Sequence, residues 1–551
     1  MGTGPRRPAS TAVAAGLAAL VAVPLLWAAA TALRAGLDGP AWQALAADPQ
    51  WPRALAMSLW TGLGATALSV ALAAWLLSRS FPGAFWQRTV KALPPMLAVP
   101  HVAFAIGLAF LVAPSGWLLR ALSPWATGFE APPPWPTTQD PWGLGLIAVL
   151  VAKEVPFLLW AAATQLQRAD VATRWQRELE QARSMGYAPR TAWWRVLWPQ
   201  LWPRLWGPLV AVLAYGLTVV DMALVIGPTS PPTLAVLCWQ WLLDADARLN
   251  AQGAAAAWLL AACVGLLAAA LWPLRRALHR RARWASGRRG RLPAPGARAR
   301  WPAVAGLAAI YLAVMAALAV GSVAGVWPFP RLWPEALSLQ AWHSVGRSAG
   351  TLWTTVLLGL ASSLSALAWS VAWLECAPPH WDARLRRLVY LPLLLPSVLW
   401  VVGLHRLALA WGIDARWPGL WLAHSLAAVP YVLIALSPAY LGFDARYRQV
   451  AASLGQHRGA FLLRIKWPLL KAALLAAFAV GFAVSVAQYL PTLFVGAGRF
   501  NTVTTEAVTL ANGGQRSLTA AYAWLQWLLP AVVFALAAWA GRPRRFAKMA
   551  A

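Results

Sequence analysis

Long apolar runs, separated by short polar gaps rich in arginine, make up nearly the whole chain of 551 residues. Twelve runs stand out, each about 20 residues or longer. The first six cover roughly 11–33, 55–78, 93–113, 143–164, 206–227 and 254–274. The second six cover roughly 302–321, 349–373, 389–411, 418–440, 472–495 and 520–541. A helix rises about 1.5 Å per residue, so about 20 residues cross the hydrocarbon core of a bilayer, which is about 30 Å thick. The pattern therefore predicts an all-α polytopic membrane protein of about twelve spans. A transmembrane β-barrel would instead show alternating segments of about 10 residues. The first run, 11–33, is too long for the apolar region of a signal peptide and reads as a retained span. The runs divide the chain into a first half, 1–274, a linker, 275–300, and a second half, 301–551.

Charge sets the expected orientation. The chain carries a net charge of +29, with 60% hydrophobic and only 11% charged residues. Soluble domains carry about 25% charged residues. If the N-terminus is cytoplasmic, then the even-numbered gaps, both termini and the linker hold 35 of the 46 Lys and Arg residues. The opposite side holds 9, and Lys153 and Arg406 fall within runs. Positive residues concentrate on cytoplasmic loops, so both termini are expected there. This distribution follows topology and gives no indication of a nucleic-acid partner. The linker carries ten Arg and no acid. It reads either as a basic segment against anionic lipid or a partner, or as a topological anchor and tether. Of the 38 Trp residues, several, such as Trp51, Trp301, Trp327 and Trp333, sit near span ends, as an interfacial belt would. Three cysteines, Cys238, Cys263 and Cys376, are expected in a loop, a span and another loop, and show no metal-ligand spacing.

The two halves share landmarks in the same order. Pro100 and Gly107 correspond to Pro396 and Gly403, and Val155-Pro156-Phe157 to Val429-Pro430-Tyr431. Gly227 and Thr233 correspond to Gly496 and Thr502. A parallel duplication with an even number of spans per unit predicts a pseudo-two-fold axis along the membrane normal. The loop 114–142, with its PPPWP, has no counterpart of equal length.

A polar cassette between the fourth and fifth runs of each half is the sharpest of these repeats. Residues 180–199 read EQARSMGYAPRTAWWRVLWP, and residues 449–468 read QVAASLGQHRGAFLLRIKWP. Glu180, Ala182, Gly186 and Pro199 of the first copy face Gln449, Ala451, Gly455 and Pro468 of the second. The spacing predicts a short helix, a turn at the glycine, a second short helix and a stop at Trp-Pro. The cassette resembles the EAA loop of binding-protein-dependent ABC importer permeases, whose pattern is Glu-Ala-Ala, three residues, Gly, nine residues, Ile, one residue, Leu-Pro. Trp198 and Trp467 stand where that family has Leu, and only the first copy keeps the acidic residue. The duplicated layout is similar to the fused permeases of the ferric-iron, thiamine and YnjC-type importers.

The resemblance implies two tandem MetI-like six-helix halves in a bacterial inner membrane. It implies an ATP-binding subunit, in two copies, docked on the two cassettes. A periplasmic or lipid-anchored binding protein would deliver a small solute from outside. No cofactor is implied, and iron, thiamine or polyamine all remain open as solutes. The chain itself has no P-loop, because none of its five lysines is followed by Ser or Thr. No catalytic triad or metal-ligand cluster is legible, so the reading is a transporter rather than an enzyme. The competing reading is a twelve-span secondary transporter driven by an ion gradient.

Ionisable and polar groups at membrane depth are costly and mark either a solute path or interhelical packing. Asp221, Gln488, Glu154, Lys153 and Arg406 are the candidates for the path. His405 and His424 also lie within runs, the latter read as a packing hydrogen bond.

Overall fold

The computed structural model describes residues 8–82, 84–166, 169–282, 301–393 and 395–542. Most of the linker, 283–300, lies outside them. The first half contributes α1 (Pro8–Gly36), α2 (Trp51–Ser80), α3 (His101–Val112), α4 (Leu144–Leu166), α5 (Ala169–Ser184), α6 (Trp206–Thr218), α7 (Asp221–Ile226), α8 (Leu234–Leu243) and α9 (Ala247–Ala282). The second contributes α10 (Trp301–Ser322), α11 (Ala349–Cys376), α12 (Ser397–Ala410), α13 (Trp417–Leu441), α14 (Arg446–Ser453), α15 (Lys471–Ala487), α16 (Leu490–Gly496), α17 (Val503–Ala511) and α18 (Arg516–Ala540). Among the described residues, nine helices are long and apolar enough to cross a membrane, or up to eleven if each bent pair is one span. Cys238, expected in a loop, lies buried in α8.

Four of the predicted runs are broken, and local chemistry explains each break. In 206–227 the helix stops at Thr218 and restarts at Asp221. The Met222 N–H donates to Asp221 Oδ1 at 2.9 Å instead of reaching back four residues. Short acidic side chains compete with the helix in this way. In 472–495 the break falls at Gln488 and Tyr489. Pro491 follows, and its missing N–H cannot serve the carbonyl of Ala487. The run 93–113 breaks before Pro100, which becomes the N-terminal cap residue of α3. The run 389–411 likewise starts its long helix after Pro396, the cap residue of α12. The paired prolines seen in sequence are thus paired helix starts.

The first helix of each half packs against the other half. α1 lies on α12, and α10 lies on α3. The paired glycines permit these approaches: an added Cβ at Gly107 would sit 2.8 Å from the Val314 carbonyl oxygen, and one at Gly403 would meet the Ala28 carbonyl oxygen. Overpacking such contacts costs about 1–3 kcal/mol. Gly403→Val should therefore lower the thermal midpoint of the purified protein, whereas Gly306→Val, whose Cβ would meet no neighbour, should leave it unchanged; equal midpoints would refute the close approach.

The repeat also appears in hydrogen bonds. Ser58 on α2 accepts the N–H of Leu234, first residue of α8, at 2.8 Å. Thr355 on α11 accepts the N–H of Val503, first residue of α17, at 3.0 Å. The Gln139 N–H reaches Ile226 O at 3.1 Å and the Ala415 N–H reaches Val495 O at 2.9 Å. Both donors have positive φ, 56° and 51°.

Candidate functional site

Both cassettes fold alike and sit at the same end of the bundle. α5 ends and α14 ends in the same turn: the Tyr187 N–H bonds Ala182 O at 3.1 Å, and the Gln456 N–H bonds Ala451 O at 2.9 Å. Such a six-to-one bond closes a helix when a left-handed residue follows it. Gly186 (φ 85°) and Gly455 (φ 72°) supply that residue, which is why glycine recurs there. Ala182 and Ala451 are buried beneath the turn, while Glu180, Gly186, Gln449 and Gly455 are exposed. A short helix then runs into a π-helical stretch, Trp193–Leu197 in one copy and Leu462–Lys466 in the other. Each stretch ends in a Trp N–H that reaches five residues back, from Trp198 to Trp193 and from Trp467 to Leu462. Pro199 and Pro468 follow directly. A proline ring crowds the carbonyl four residues before it, and a widened turn relieves that crowding.

Each knob presents apolar side chains outward at equivalent places. Met185 and Trp194 in the first copy match Leu454 and Leu463 in the second, all at least 40% exposed. These four lie 269 residues apart pairwise, as the two glycines do.

The knobs are held differently. Under the first, Trp175, Trp193 and Leu197 join the buried core that continues into α4. Gln200 accepts from Trp175 Nε1 at 2.9 Å and donates to Glu178 at 2.6 Å. Burial works to raise the Glu178 carboxyl, but hydrogen bonds from Gln200 and Arg174 and the Arg174 charge hold it below the usual range. Under the second knob, the anchor is ionic. Glu375, at the end of α11, accepts from Lys466, from the Tyr440 hydroxyl at 2.8 Å and from Arg458 at 3.1 Å. Lys466 also lies 3.9 Å from the centroid of the Tyr440 ring. Nothing in the sequence alone links Glu375 to this cassette, 91 residues further on at Lys466.

Between the halves lies a cavity of about 280 Å³. Asp221 and Gln488 both line it, at the breaks of the two interrupted spans, together with Tyr215, Tyr431, Tyr489 and Trp400. Glu154, Lys153 and Arg406 do not line this cavity. Lys153 is buried and donates to the Val99 carbonyl at 2.6 Å and the Met96 carbonyl at 3.4 Å. It thereby serves two carbonyls at the break in 93–113. Glu154 is buried beside it in α4, and Arg406 is exposed on α12. His424 bridges Ser485 at 2.8 Å and Thr492 at 3.0 Å. The three tyrosines escaped the sequence reading because phenols carry no charge to stand out within an apolar run.

A second cavity of about 510 Å³ opens at the end opposite the knobs. There Arg120 ties the halves together. It donates to the carbonyls of Ser115, Trp327, Pro328 and Arg331 at 2.8–3.0 Å. Arg516 reaches Ser115 Oγ at 2.6 Å, and Gln139 reaches Asn512 at 3.2 Å. The unmatched loop 114–142 thus forms part of the contact between halves.

The duplicated bundle of membrane-length helices, with two matched knobs at one end and between its halves a largely apolar cavity that Asp221 and Gln488 line, has the form of a membrane permease, and the chain belongs to the ABC transporter permeases. It is 37% identical over 535 residues to the inner membrane ABC transporter permease protein YnjC of Escherichia coli (strain K12), covering 96% of each chain. It is 30% identical over 219 residues to the molybdenum transport system permease protein ModB of Mycobacterium tuberculosis, covering 36% of this chain and 78% of that one. It is 27% identical over 108 residues to the spermidine/putrescine transport system permease protein PotC of Haemophilus influenzae, covering 20% and 42%. No protein-family model matches the chain.

Proposed function

We propose that this chain is the complete permease unit of an importer in a bacterial inner membrane, with one half, 1–274, and the other, 301–551, replacing two separate permease chains across the linker 275–300. The knobs around Gly186 and Gly455 dock two ATP-binding subunits on the cytoplasmic side, where both termini also lie. A binding protein delivers a small solute at the opposite end, and the solute passes between the halves beside Asp221 and Gln488. One observation carries this reading: two knobs of the same backbone, each with a left-handed glycine, a π-helical stretch and a pair of exposed apolar side chains at equivalent positions. Exposed apolar side chains clustered on a small projection mark an interaction site, and a pair of them fits a pair of partners.

The test is co-purification in mild detergent. An ATP-binding subunit should accompany the chain, and uptake into vesicles should require ATP. Uptake that persists in vesicles lacking any ATP-binding subunit would support the ion-gradient transporter instead. A second measurement addresses the path. Asp221→Asn should lower uptake at least about tenfold, the scale of a lost hydrogen bond to a charged group, at unchanged protein level. Parallel losses of uptake and of protein would show that Asp221 serves packing.

A further inference from the structure

Accepting the permease reading above, we infer that the cavity between the halves binds a small organic cation bearing N–H donors, and that the solute belongs to this chemical class. Asp221 is the single carboxylate among the residues lining the cavity, and the lining contains no Lys or Arg; its one imidazole, His101, packs edge-on against the Tyr215 ring, 5.0 Å between centroids. An anion entering it would face Asp221 without a counter-charge, whereas a cation would supply one. Ion pairs at low dielectric are strong only when complementary in this way.

Gln526 gives an independent indication. It lines the same cavity from α18 and is fully buried. Its Nε2 donates to Thr504 Oγ1 at 2.8 Å, and the Thr504 hydroxyl in turn donates to the Val486 carbonyl. This chain of bonds fixes the amide orientation and leaves Gln526 Oε1 without a partner. A buried amide oxygen left unsatisfied carries a penalty that a ligand donor removes. Asp221 and Gln526 Oε1 are thus both acceptors, one of them charged, and the Tyr215, Tyr431 and Tyr489 hydroxyls can serve in either sense.

The walls agree with this sign. Trp400, Tyr215, Tyr431 and Tyr489 surround the cavity. Aromatic faces attract cations through their quadrupoles and repel anions. Aromatic walls also suit alkyl groups on the ligand, and about 280 Å³ limits it to a compact molecule.

The experiment uses the full chain in lipid nanodiscs and three isosteric probes: propylammonium, propionate and propanol. Thermal unfolding is followed while each is titrated. A ligand that binds only the folded state raises the midpoint in a saturable manner. Propylammonium should do so, and propionate and propanol should not. Asp221→Asn should raise the half-saturating propylammonium concentration about 10- to 100-fold, while Asp221→Glu should retain the response. Gln526→Leu, which removes the acceptor without a charge, should weaken it less and provides the reading if the Asn variant does not fold. An equal response to propionate, an undiminished response in Asp221→Asn, or no response of the native protein to propylammonium would each overturn the proposal. Co-purification of an ATP-binding subunit is scored on the same preparations. If it persists while the probes fail, the permease reading stands and the solute class falls; if the probes succeed without it, the reverse holds.

Discussion

Gly186→Asp and Gly455→Asp should each abolish uptake, by at least about a hundredfold, in protein that still inserts and is recovered at normal levels. Both glycines occupy left-handed backbone, φ 85° and 72°, at exposed turns. An aspartate tolerates that region better than most residues and costs about 1 kcal/mol there. At Gly455 an added Cβ would meet no atom within 4 Å. Folding therefore loses little. The new carboxylate would instead sit beside the exposed apolar pairs, Met185 with Trp194 or Leu454 with Leu463. A charge placed in an apolar contact that closes on a partner leaves that charge desolvated and unpaired, which costs several kcal/mol. Gly→Ala at the same positions adds a methyl without charge and should reduce uptake much less. The measurement is uptake normalised to membrane-inserted protein. Normal transport by both Asp variants would remove the docking role from the knobs.

Most of the architecture was legible from period and composition, since a run of 20 apolar residues has few alternatives in water or lipid. The cassettes were legible because left-handed turns require glycine and because small residues recur where backbones approach. What the sequence did not reveal has a common physical origin. The break at Thr218–Asp221 depends on which acceptor one N–H selects and that at Ala487–Leu490 on one N–H that Pro491 lacks, details that hydropathy averages away. The exchange of α1 and α10 between halves depends on close approaches at Gly403 and Gly107, and a glycine in a span does not name its neighbour. Lys153 stands out in sequence because a cation within an apolar run is conspicuous, but its partners do not. Its hydrogen bonds go to carbonyls at the break in 93–113, 54 and 57 residues earlier in the chain, and nothing local to Lys153 announces that.

The unequal anchoring of the knobs leads to the second large effect. Glu375→Ala should disable the second knob, while Ser78→Ala, at the corresponding place in the first half, should be nearly silent. Glu375 gathers Lys466, Arg458 and Tyr440, and the Glu375 and Lys466 side chains are only 15% and 13% exposed. Removing one partner of a largely buried ion pair leaves the other uncompensated and costs about 3–5 kcal/mol. Ser78 only donates to Trp75 O within its own helix, at 2.8 Å. The pair Glu375→Leu with Lys466→Met should recover much of the loss, because replacing both buried charges with apolar groups of similar size is often neutral. Local proteolysis of the 446–468 segment, read with uptake, separates the outcomes. The single variant should expose the segment and lose transport; the double variant should protect it again. If the double variant restores the fold but not transport, then the Glu375–Lys466 pair carries motion from the knob to α11 as well as holding it in place. If neither variant alters the segment, the ionic anchor is not what positions the second knob. A restored fold with restored transport would make the pair a tether alone, and would leave the apolar core beneath the first knob as its equivalent by other means.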